Sequence, residues 1–478
     1  MLFNSMTFAV FLTAVFILYY IVPIKFRWVF LLAASYAFYM NLHAAYGLLL
    51  FFTTALTYLL AIGVEKASDN AGKRRCLLSG ILPLLAILLF FKLGSPVIDR
   101  MNILIDAGRL SLQPLTVKIL LPAGVSFYFF QSMGYLIDVY KGKVHAERHF
   151  GYYALFVSFF PQLLAGPIGR AQTLLPQLKK ERNFDYESAS YGLKLMAWGY
   201  FKKLVIADVF AVTVDKVFDN AHSYVGLVFI IVTVMFAVEI YCDFSGYSDI
   251  AVGCARLFGI ELMTNFKSPY FSFSIREFWS RWHISLSTWF RDYVYIPLGG
   301  NRVPGWRHCL NLLLTFLVSG FWHGSNVTYL VWGAAHGFLQ IGEVLLNPKD
   351  RQKNAKKHWW QLPLTFAVLC LTWIFFRAAS MEDALWILSK LFHDIERPVN
   401  YLKTAVICLD MPYFSMLGML LAAAVLFVYD LFSLKQDVIL AVSRQKACIR
   451  WPVYVLLLVA TALFSHKGIA TKFIYFQF

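Results

Sequence analysis

Long apolar stretches recur along the chain, and no other feature constrains its fold as strongly. A helix that crosses the hydrocarbon core of a bilayer needs roughly 20 mostly apolar residues. Of the 478 residues, 59% are hydrophobic and only 15% are charged, so the bilayer has to solvate much of the surface. The candidate spanning stretches are residues 7–23, 29–39, 48–64, 77–93, 119–139, 224–241, 312–321, 329–346, 362–376, 413–429 and 453–464. We therefore predict an all-α polytopic membrane protein with roughly ten to twelve transmembrane helices, some of them short.

The net charge of +16 could indicate a nucleic-acid partner, but the basic residues lie in short loops between apolar stretches. This pattern is typical of cytoplasmic loops, so we predict no nucleic-acid partner and a multi-pass protein of the inner, cytoplasmic membrane. The loops assigned to the cytoplasm are residues 25–27, 66–75, 141–148, 276–307, 349–357 and 435–450. Alternation between these loops places both termini on the extracytoplasmic side.

The same alternation assigns the weaker segments. One further crossing is needed between residues 148 and 276, and the less apolar stretch 193–214 is the candidate for it. Residues 96–118 and 381–398 fall on the outer side, and the second has the mixed periodicity of an interfacial helix. The first apolar stretch is followed at once by another, so we predict a retained span and not a signal peptide.

The cysteines are scattered and show no C-x-x-C spacing. They therefore indicate neither a metal site nor a disulfide framework, and we interpret them as packing residues. The seven are Cys76, Cys242, Cys254, Cys309, Cys370, Cys408 and Cys448.

The middle of the chain, residues 160–326, mixes Gly, Pro, Arg, Asp and aromatic residues more densely than a plain helical bundle needs. Irregular or polar segments at membrane depth persist only when they are buried in protein or line a cavity. We therefore predict broken or re-entrant segments around a central tunnel. Residues 160–170, with two prolines and two glycines, are the clearest example.

Histidine 323 is the first catalytic candidate, in the string Phe-Trp-His-Gly at residues 321–324. The apolar run before it is shorter than a full crossing, so we expect His323 at depth beside a cavity. Its unperturbed pKa of about 6.5 suits it to accept a proton from a hydroxyl. A hydrogen-bonded core histidine is the equally weighted alternative. His336, thirteen positions on, is expected as a structural partner or substrate-binding residue.

Residues 276–302 interleave Arg, Trp and His with apolar residues on the predicted cytoplasmic side. The guanidinium groups of Arg276 and Arg281 could bind phosphates in bidentate fashion, and the indole of Trp282 could face an acyl chain or an adenine. A positively charged interfacial helix anchored by tryptophans explains the same pattern.

Two further features involve carboxylates and a hydroxyl. Asp243 and Asp249 follow a strongly apolar run, where they could pair with the arginines of residues 276–302, orient a histidine, or form buried salt bridges that shape the bundle. The last residues, 472–478, alternate aromatic side chains as in an interfacial belt. The hydroxyl of Tyr475 on such a short tether could also enter a cavity.

Taken together, these strings resemble the membrane-bound O-acyltransferase (MBOAT) family. The resemblance is strongest to its bacterial branch of alginate O-acetyltransferases, peptidoglycan O-acetyltransferase membrane subunits and teichoic-acid D-alanyl transfer proteins. The matching strings, in chain order, are LPAGVSF, YLIDVY, FPQLLAGPIGR, DFSGYSD, REFWSRWHISLSTWFRDYVYIPLGGNR, FWHG and the tail FIYFQF. The resemblance implies one domain over residues 1–478, with a motif-bearing core at 119–346 and an extracytoplasmic aromatic tail at 466–478.

By this resemblance His323 matches the family's catalytic histidine, and His283 matches its second histidine. Tyr475 matches the tyrosine that serves related systems as an acyl carrier. The resemblance implies no bound cofactor and a cytoplasmic acyl-CoA, above all acetyl-CoA, as the donor substrate. The residues expected to contact the substrates are Arg276, Arg281, Trp282, Trp322, Asp243, Asp249 and His336.

The implied function is transfer of an acetyl group toward an extracytoplasmic polysaccharide. The implied partners are the donor thioester, membrane lipid and a separate extracytoplasmic transferase subunit of the SGNH type. Two alternatives stay open at this point. The chain could transfer D-alanine in teichoic-acid modification, or it could act as an acyl-group channel or scaffold without chemistry of its own.

Overall fold

The computed structural model describes residues 1–107, 116, 119, 122–346, 357–465, 473 and 474. Within these ranges all regular secondary structure is helical, which confirms the predicted all-α class. The α-helices are Met6–Ile21, Arg27–Met40, Ala44–Lys66, Asn70–Asp106, Val125–Tyr140, Phe150–Ser158, Phe160–Leu163, Ala171–Lys179, Tyr186–Tyr200, Asp208–Phe218, Leu227–Leu257, Ile275–Arg281, Ile284–Phe290, Gly305–His323, Val327–Leu346, Gln361–Arg377, Met381–Lys390, Pro398–Leu409, Tyr413–Ser433, Val438–Ser443 and Ala447–Ser465. Three-residue 3-10 turns lie at Ile24–Phe26, Ala221–Ser223 and Pro269–Phe271, and π-helical segments at Phe201–Ala207 and Arg291–Tyr295.

Five of the described helices are long and apolar enough to cross a membrane. They are Ala44–Lys66, Asn70–Asp106, Leu227–Leu257, Tyr413–Ser433 and Ala447–Phe464. In the last of these, Leu456 and Leu463 are 68% and 67% exposed, which suits a surface that faces lipid. The chain is therefore a multi-pass membrane protein, while the count of roughly ten to twelve spans stays a prediction.

The chain forms two compact units. The first comprises Met1–Leu193 and Ala251–Met263, and the second comprises Lys194–Ile250 and Thr264–Gln477. In the first unit, helix Asn70–Asp106 begins after Asp69, whose Oδ1 accepts a hydrogen bond from the Gly72 N–H at 3.1 Å. This helix extends beyond the predicted stretch 77–93 at both ends and continues through Pro83 and Pro96. Prolines are tolerated in membrane helices where neighbouring groups satisfy the freed carbonyls.

The segment at residues 160–170, also in the first unit, is broken as its prolines and glycines predict. Helix Phe160–Leu163 is a single turn, and the chain becomes helical again only at Ala171. Gln162 braces the break, because its side-chain amide donates to the Phe156 carbonyl at 3.0 Å and to Gln131 Oε1 at 3.1 Å. The irregular backbone is thus buried in protein, where its polar groups find partners.

In the second unit two helices approach closely through glycines. The predicted extra stretch 193–214 is helical, and its Gly199 faces Gly246 on helix Leu227–Leu257. A Cβ on Gly246 would lie 2.7 Å from the Gly199 carbonyl oxygen, and one on Gly199 would lie 2.6 Å from that of Gly246. Small residues of this kind let membrane helices pack backbone against backbone.

A second close pair is formed by helices Gly305–His323 and Val327–Leu346. Cβ atoms built on Gly320 and Gly333 would lie 2.3 Å and 2.4 Å from carbonyl oxygens of the opposite helix. The first helix is longer than the apolar run 312–321 from which it was predicted, because it starts on more polar residues at Gly305. Its last residue is His323, so the length of the helix determines where that side chain lies.

Residues 381–398 carry the amphipathic helix that their periodicity predicts. Helix Met381–Lys390 begins after Ser380, whose hydroxyl accepts from the Asp383 N–H at 3.1 Å. Ala384 and Ile387 are buried on one face, and Leu385 on another is 56% exposed. The interfacial position of this helix stays a prediction.

The close contact between Gly199 and Gly246 predicts that a side chain at Gly246 destabilises the protein. Gly246→Val should force the two helices apart and lower the unfolding temperature in detergent, by a destabilisation of about 1–3 kcal/mol. Gly418→Val is the matched control, because nothing lies within 4 Å of a Cβ at Gly418. Thermal unfolding of both purified variants measures the difference. Equal unfolding temperatures for the two would contradict the requirement for close approach.

Candidate functional site

His323 ends its helix inside an aromatic enclosure. The side chain is buried, and its residue is only 4% exposed. The edges of two rings approach the imidazole, with centroid distances of 5.1 Å to Trp332 and 5.3 Å to Phe376. The glycine contacts between helices Gly305–His323 and Val327–Leu346 bring Trp332 against the histidine. Packing of this kind holds an imidazole in one orientation.

His336 lies on the facing helix, on another side of Trp332. Its Nδ1 accepts a hydrogen bond from the Trp279 Nε1–H at 3.2 Å, so the neutral ring carries its proton on Nε2. The centroid of its ring is 4.9 Å from that of Trp332. A single indole therefore contacts both His323 and His336.

His283 occupies the turn between helices Ile275–Arg281 and Ile284–Phe290. Its residue is 1% exposed and has a φ of 42°, a left-handed conformation that costs free energy for any residue with a side chain. Asn265 stabilises the turn, because its carbonyl accepts from the Ile284 N–H at 2.9 Å and its Oδ1 accepts from the Ser285 N–H at 3.1 Å. A strained backbone held by buried hydrogen bonds is a frequent property of functional residues.

Tryptophans connect the three histidines. The ring centroid of Trp322, the neighbour of His323 in sequence, is 6.2 Å from that of His283. Trp332 in turn stacks with Trp373 at 6.0 Å, and Trp373 contacts Trp282 at 5.1 Å. The second unit thus holds a buried cluster in which His283, His323 and His336 share aromatic neighbours. We call it the histidine cluster.

A cavity of about 530 Å³ lies beside the histidine cluster. Exposed polar and basic residues line one part of it, including Arg276, Arg291 and Asn301. Buried residues line another part, including Phe290 and Ser319. Ser319 is one helical turn before His323 on the same helix, so the buried part of the cavity lies close to the catalytic candidate.

Of the residues expected to contact the substrates, some line the cavity and others do not. Arg276 lines the cavity, whereas Arg281 and Trp282 are not among its lining residues. Arg281 binds the Glu277 carboxylate at 2.8 Å, which also binds the Lys357 ammonium at 3.0 Å. Burial raises the pKa of the Glu277 carboxyl, but the N–H of Phe273 and the two cations outweigh burial and lower that pKa below its usual value. Trp282 packs in the histidine cluster, where its ring centroid lies 5.1 Å from that of Trp373.

Asp243 and Asp249 form ion pairs with two adjacent buried lysines. The ammonium of Lys203 lies 2.5 Å from Asp243 and 2.8 Å from Asp208. Lys202 lies 2.8 Å from Asp249 and donates to the Ser245 hydroxyl at 2.8 Å. Salt bridging is therefore present, with lysines as the partners in place of the arginines suggested by the sequence, and the pair of Asp243 is fully buried. Tyr475 lies outside the described residues, but Ile474, its neighbour, donates its N–H to Asp243 Oδ2 at 2.9 Å.

Several residues of the site were missed from the sequence. Lys202 and Lys203 were not singled out, although two lysines inside a stretch predicted to cross the membrane are a signal for buried ion pairs. Asn265, Trp332 and Arg291 were missed as well, because their roles depend on long-range packing that local motifs do not encode. The roles of His323, His283 and Tyr475 in chemistry stay predictions.

Comparison with known proteins identifies the family. The model of the membrane-bound O-acyltransferase family matches residues 147–381. The chain is 39% identical over 387 residues to a probable alginate O-acetylase AlgI of Pseudomonas putida, covering 80% of this chain and 79% of the relative. It is 32% identical to a peptidoglycan O-acetyltransferase of Helicobacter pylori, covering 94% and 91%. It is 29% identical to a teichoic acid D-alanyltransferase of Streptococcus thermophilus, covering 56% and 70%.

The relatives from Pseudomonas putida and Helicobacter pylori are both named for O-acetylation, and the family match includes the positions of His283 and His323. Together with the apolar helices, they establish the class of protein. The chain belongs to the membrane-bound O-acyltransferase family and is an acyltransferase of its O-acetyltransferase branch.

Proposed function

We propose that this enzyme passes an acetyl group from cytoplasmic acetyl-CoA across the inner membrane toward an extracytoplasmic polysaccharide. His323 acts as the base, and Tyr475 carries the acetyl group. The observation that carries the proposal is the placement of His323, buried in the histidine cluster one helical turn from a cavity residue, Ser319. The relatives named for alginate and peptidoglycan support a polysaccharide acceptor.

The proposed donor binds in the cavity. Arg276 and Arg291 are exposed at its polar part and can pair with the phosphates of a coenzyme A, and Asn301 adds a neutral hydrogen-bonding group. The apolar lining, including Leu286 and Phe290, suits the pantetheine arm. The thioester would then reach the neighbourhood of Ser319.

The proposed reaction is a general-base-assisted acyl transfer. His323 takes the proton of the acceptor phenol, and the phenolate oxygen attacks the thioester carbonyl carbon. Collapse of the tetrahedral intermediate breaks the carbon–sulfur bond, and the departing thiolate takes up a proton. The product is a tyrosyl acetate and free coenzyme A. A phenol is a poor nucleophile while protonated, so a buried base close to it is the group that the reaction needs.

The acceptor beyond the tyrosine is proposed to belong to another chain. A separate SGNH-type transferase outside the cytoplasm would take the acetyl group to the polysaccharide. Placement of both termini on the extracytoplasmic side, inferred from the basic loops, puts the tail where such a partner can reach it.

D-alanyl transfer is the second candidate. The D-alanyltransferase of Streptococcus thermophilus matches only 56% of this chain, whereas the peptidoglycan O-acetyltransferase of Helicobacter pylori matches 94%. The difference in coverage favours acetyl transfer. Membership of an acyltransferase family argues against the other alternative, a channel or scaffold without chemistry of its own.

The role of His323 can be tested against a matched histidine. His323→Gln should lower acetyl transfer by roughly 10²–10⁴-fold, the range that a general base contributes. His336→Gln keeps an acceptor for the Trp279 indole and should stay within about tenfold of the unmodified enzyme. Acetylation of polysaccharide by cells carrying each variant, with folding checked in detergent, measures both. Equal activity of the two variants would remove His323 from the role of base.

If acetyl-CoA binds in the cavity, substitution of Arg276 or Arg291 should raise its KM more than substitution of Arg281. Arg276→Ala and Arg291→Ala should each raise the KM for acetyl-CoA by roughly 10- to 100-fold, the loss expected for a hydrogen bond between two charged groups. Arg281→Ala should have a smaller effect, because Arg281 is not a cavity-lining residue, whereas Arg291 lines the cavity although it also pairs with Asp292 at 2.9 Å. Initial rates against acetyl-CoA concentration give the values. A larger increase for Arg281→Ala than for the other two would place the donor elsewhere.

A further inference from the structure

We infer that Asp243 and Lys203 form a docking site for the C-terminal tail, and that they act as positioning residues for Tyr475. The inference rests on the proposed function for its catalytic consequence, but the docking itself does not. The described tail residues are Phe473 and Ile474, and both are buried, at 2% and 8% exposure. We call the group formed by Lys203, Asp208, Asp243 and Tyr247 the tail-docking site.

The tail backbone binds directly to a buried carboxylate. The Ile474 N–H donates to Asp243 Oδ2 at 2.9 Å, while Asp243 Oδ1 binds the Lys203 ammonium at 2.5 Å. The two carboxylate oxygens therefore have different partners, one on the tail and one on the scaffold. A hydrogen bond from an N–H to a buried carboxylate is stronger than one between neutral groups.

The side chain of Phe473, which precedes Ile474, packs in the same site. Phe473 meets Tyr247 edge to face, with centroids 4.5 Å apart and planes at 88°. The Lys203 ammonium lies 4.4 Å from the centroid of the Phe473 ring, within the range of a cation–π contact. Side chain and backbone of two consecutive tail residues thus engage the two charged residues of one ion pair, which gives the contact a defined register.

The charged groups of the tail-docking site favour a hydrogen-bond donor next to Asp243 Oδ2. Lys203 binds two carboxylates, Asp208 at 2.8 Å as well as Asp243. All three residues are buried, at 1%, 7% and 2% exposure. In such surroundings a carboxylate oxygen needs a further hydrogen-bond donor. The Ile474 N–H supplies it.

The docking site and the histidine cluster share one helix segment. Phe244, which follows Asp243 in sequence, has its ring centroid 4.5 Å from that of His283. Tyr475, in turn, follows Ile474. The helix Leu227–Leu257 therefore contacts the tail through Asp243 and the histidine cluster through the next residue. Under the proposed function, loss of docking should lower kcat and leave the KM for acetyl-CoA unchanged.

The experiment compares two isosteric changes on the same helix, Asp243→Asn and Asp249→Asn, in the full-length protein. Each converts one carboxylate of a buried lysine pair into an amide, but Asp249 pairs with Lys202 and not with Phe473 or Ile474. Asp243→Asn replaces one carboxylate oxygen by an NH2 donor, so the Lys203 ammonium and the Ile474 N–H can no longer each bind a separate acceptor oxygen, and one of them faces a donor. Amide hydrogen exchange by mass spectrometry, on peptides that contain Ile474, reports the tail directly.

We expect exchange of the tail amides to become about tenfold faster or more in Asp243→Asn and to stay unchanged in Asp249→Asn. Phe473→Ala, which leaves every ion pair in place, should also speed tail exchange, and it keeps the inference testable if Asp243→Asn fails to fold. Equal tail exchange in the unmodified protein and Phe473→Ala, or equal acceleration by both aspartate variants, would overturn the docking site.

Tail exchange and acetyl transfer together distinguish failure of the docking site from failure of the carrier role of Tyr475. If Asp243→Asn and Phe473→Ala free the tail but Tyr475→Phe transfers acetyl normally, the docking site stands and the carrier role of Tyr475 is wrong. If the variants free the tail and lower kcat at constant KM for acetyl-CoA, both hold. A rise in KM with unchanged kcat would contradict a positioning role for Asp243.

Discussion

Lys202 and Lys203 are buried in a chain whose residues are 59% hydrophobic, and their ammonium groups pair with the buried Asp208 and Asp243 and the partly exposed Asp249. Removing one partner from a buried pair leaves an uncompensated charge, which costs about 3–5 kcal/mol. Gly199 and Gly246 let two helices approach backbone against backbone, and Lys202 and Lys203, just after Gly199, pair with Asp249 and Asp243 on the facing helix. Asp243 also accepts the Ile474 N–H, so the close helix contact, the ion pairs and the tail contact lie next to one another.

The histidine cluster is built from aromatic packing and not from ion pairs. Its imidazoles are buried and have tryptophan and phenylalanine rings as neighbours. In such a site a proton transferred from an acceptor hydroxyl would have few competing destinations. The cavity beside it carries exposed arginines, Arg276 and Arg291. Under the proposed function, the charged donor would bind at these arginines and the chemistry would take place in the apolar interior.

The sequence predicted the helices well where apolar runs were long, and the break at residues 160–170 from its prolines and glycines. It predicted bounds poorly where polar residues continue a helix, as at Gly305 and after Tyr241, because intrahelical hydrogen bonding does not require apolar side chains. Motif strings identified His283, His323 and Asp243 as candidates. They could not show that Asp243 binds Lys203 and Ile474, or that Arg281 pairs with Glu277, because those partners are distant in sequence.

The proposed mechanism requires His323 to activate the hydroxyl of Tyr475 for attack on a thioester. Peptide mass spectrometry of the full-length protein, quenched after a single turnover with acetyl-CoA, can detect the product of this step. We expect an acetyl adduct on Tyr475 in the unmodified enzyme and its loss in His323→Gln. An unmodified Tyr475 in an enzyme that has released coenzyme A and acetylated its polysaccharide would contradict the proposed mechanism.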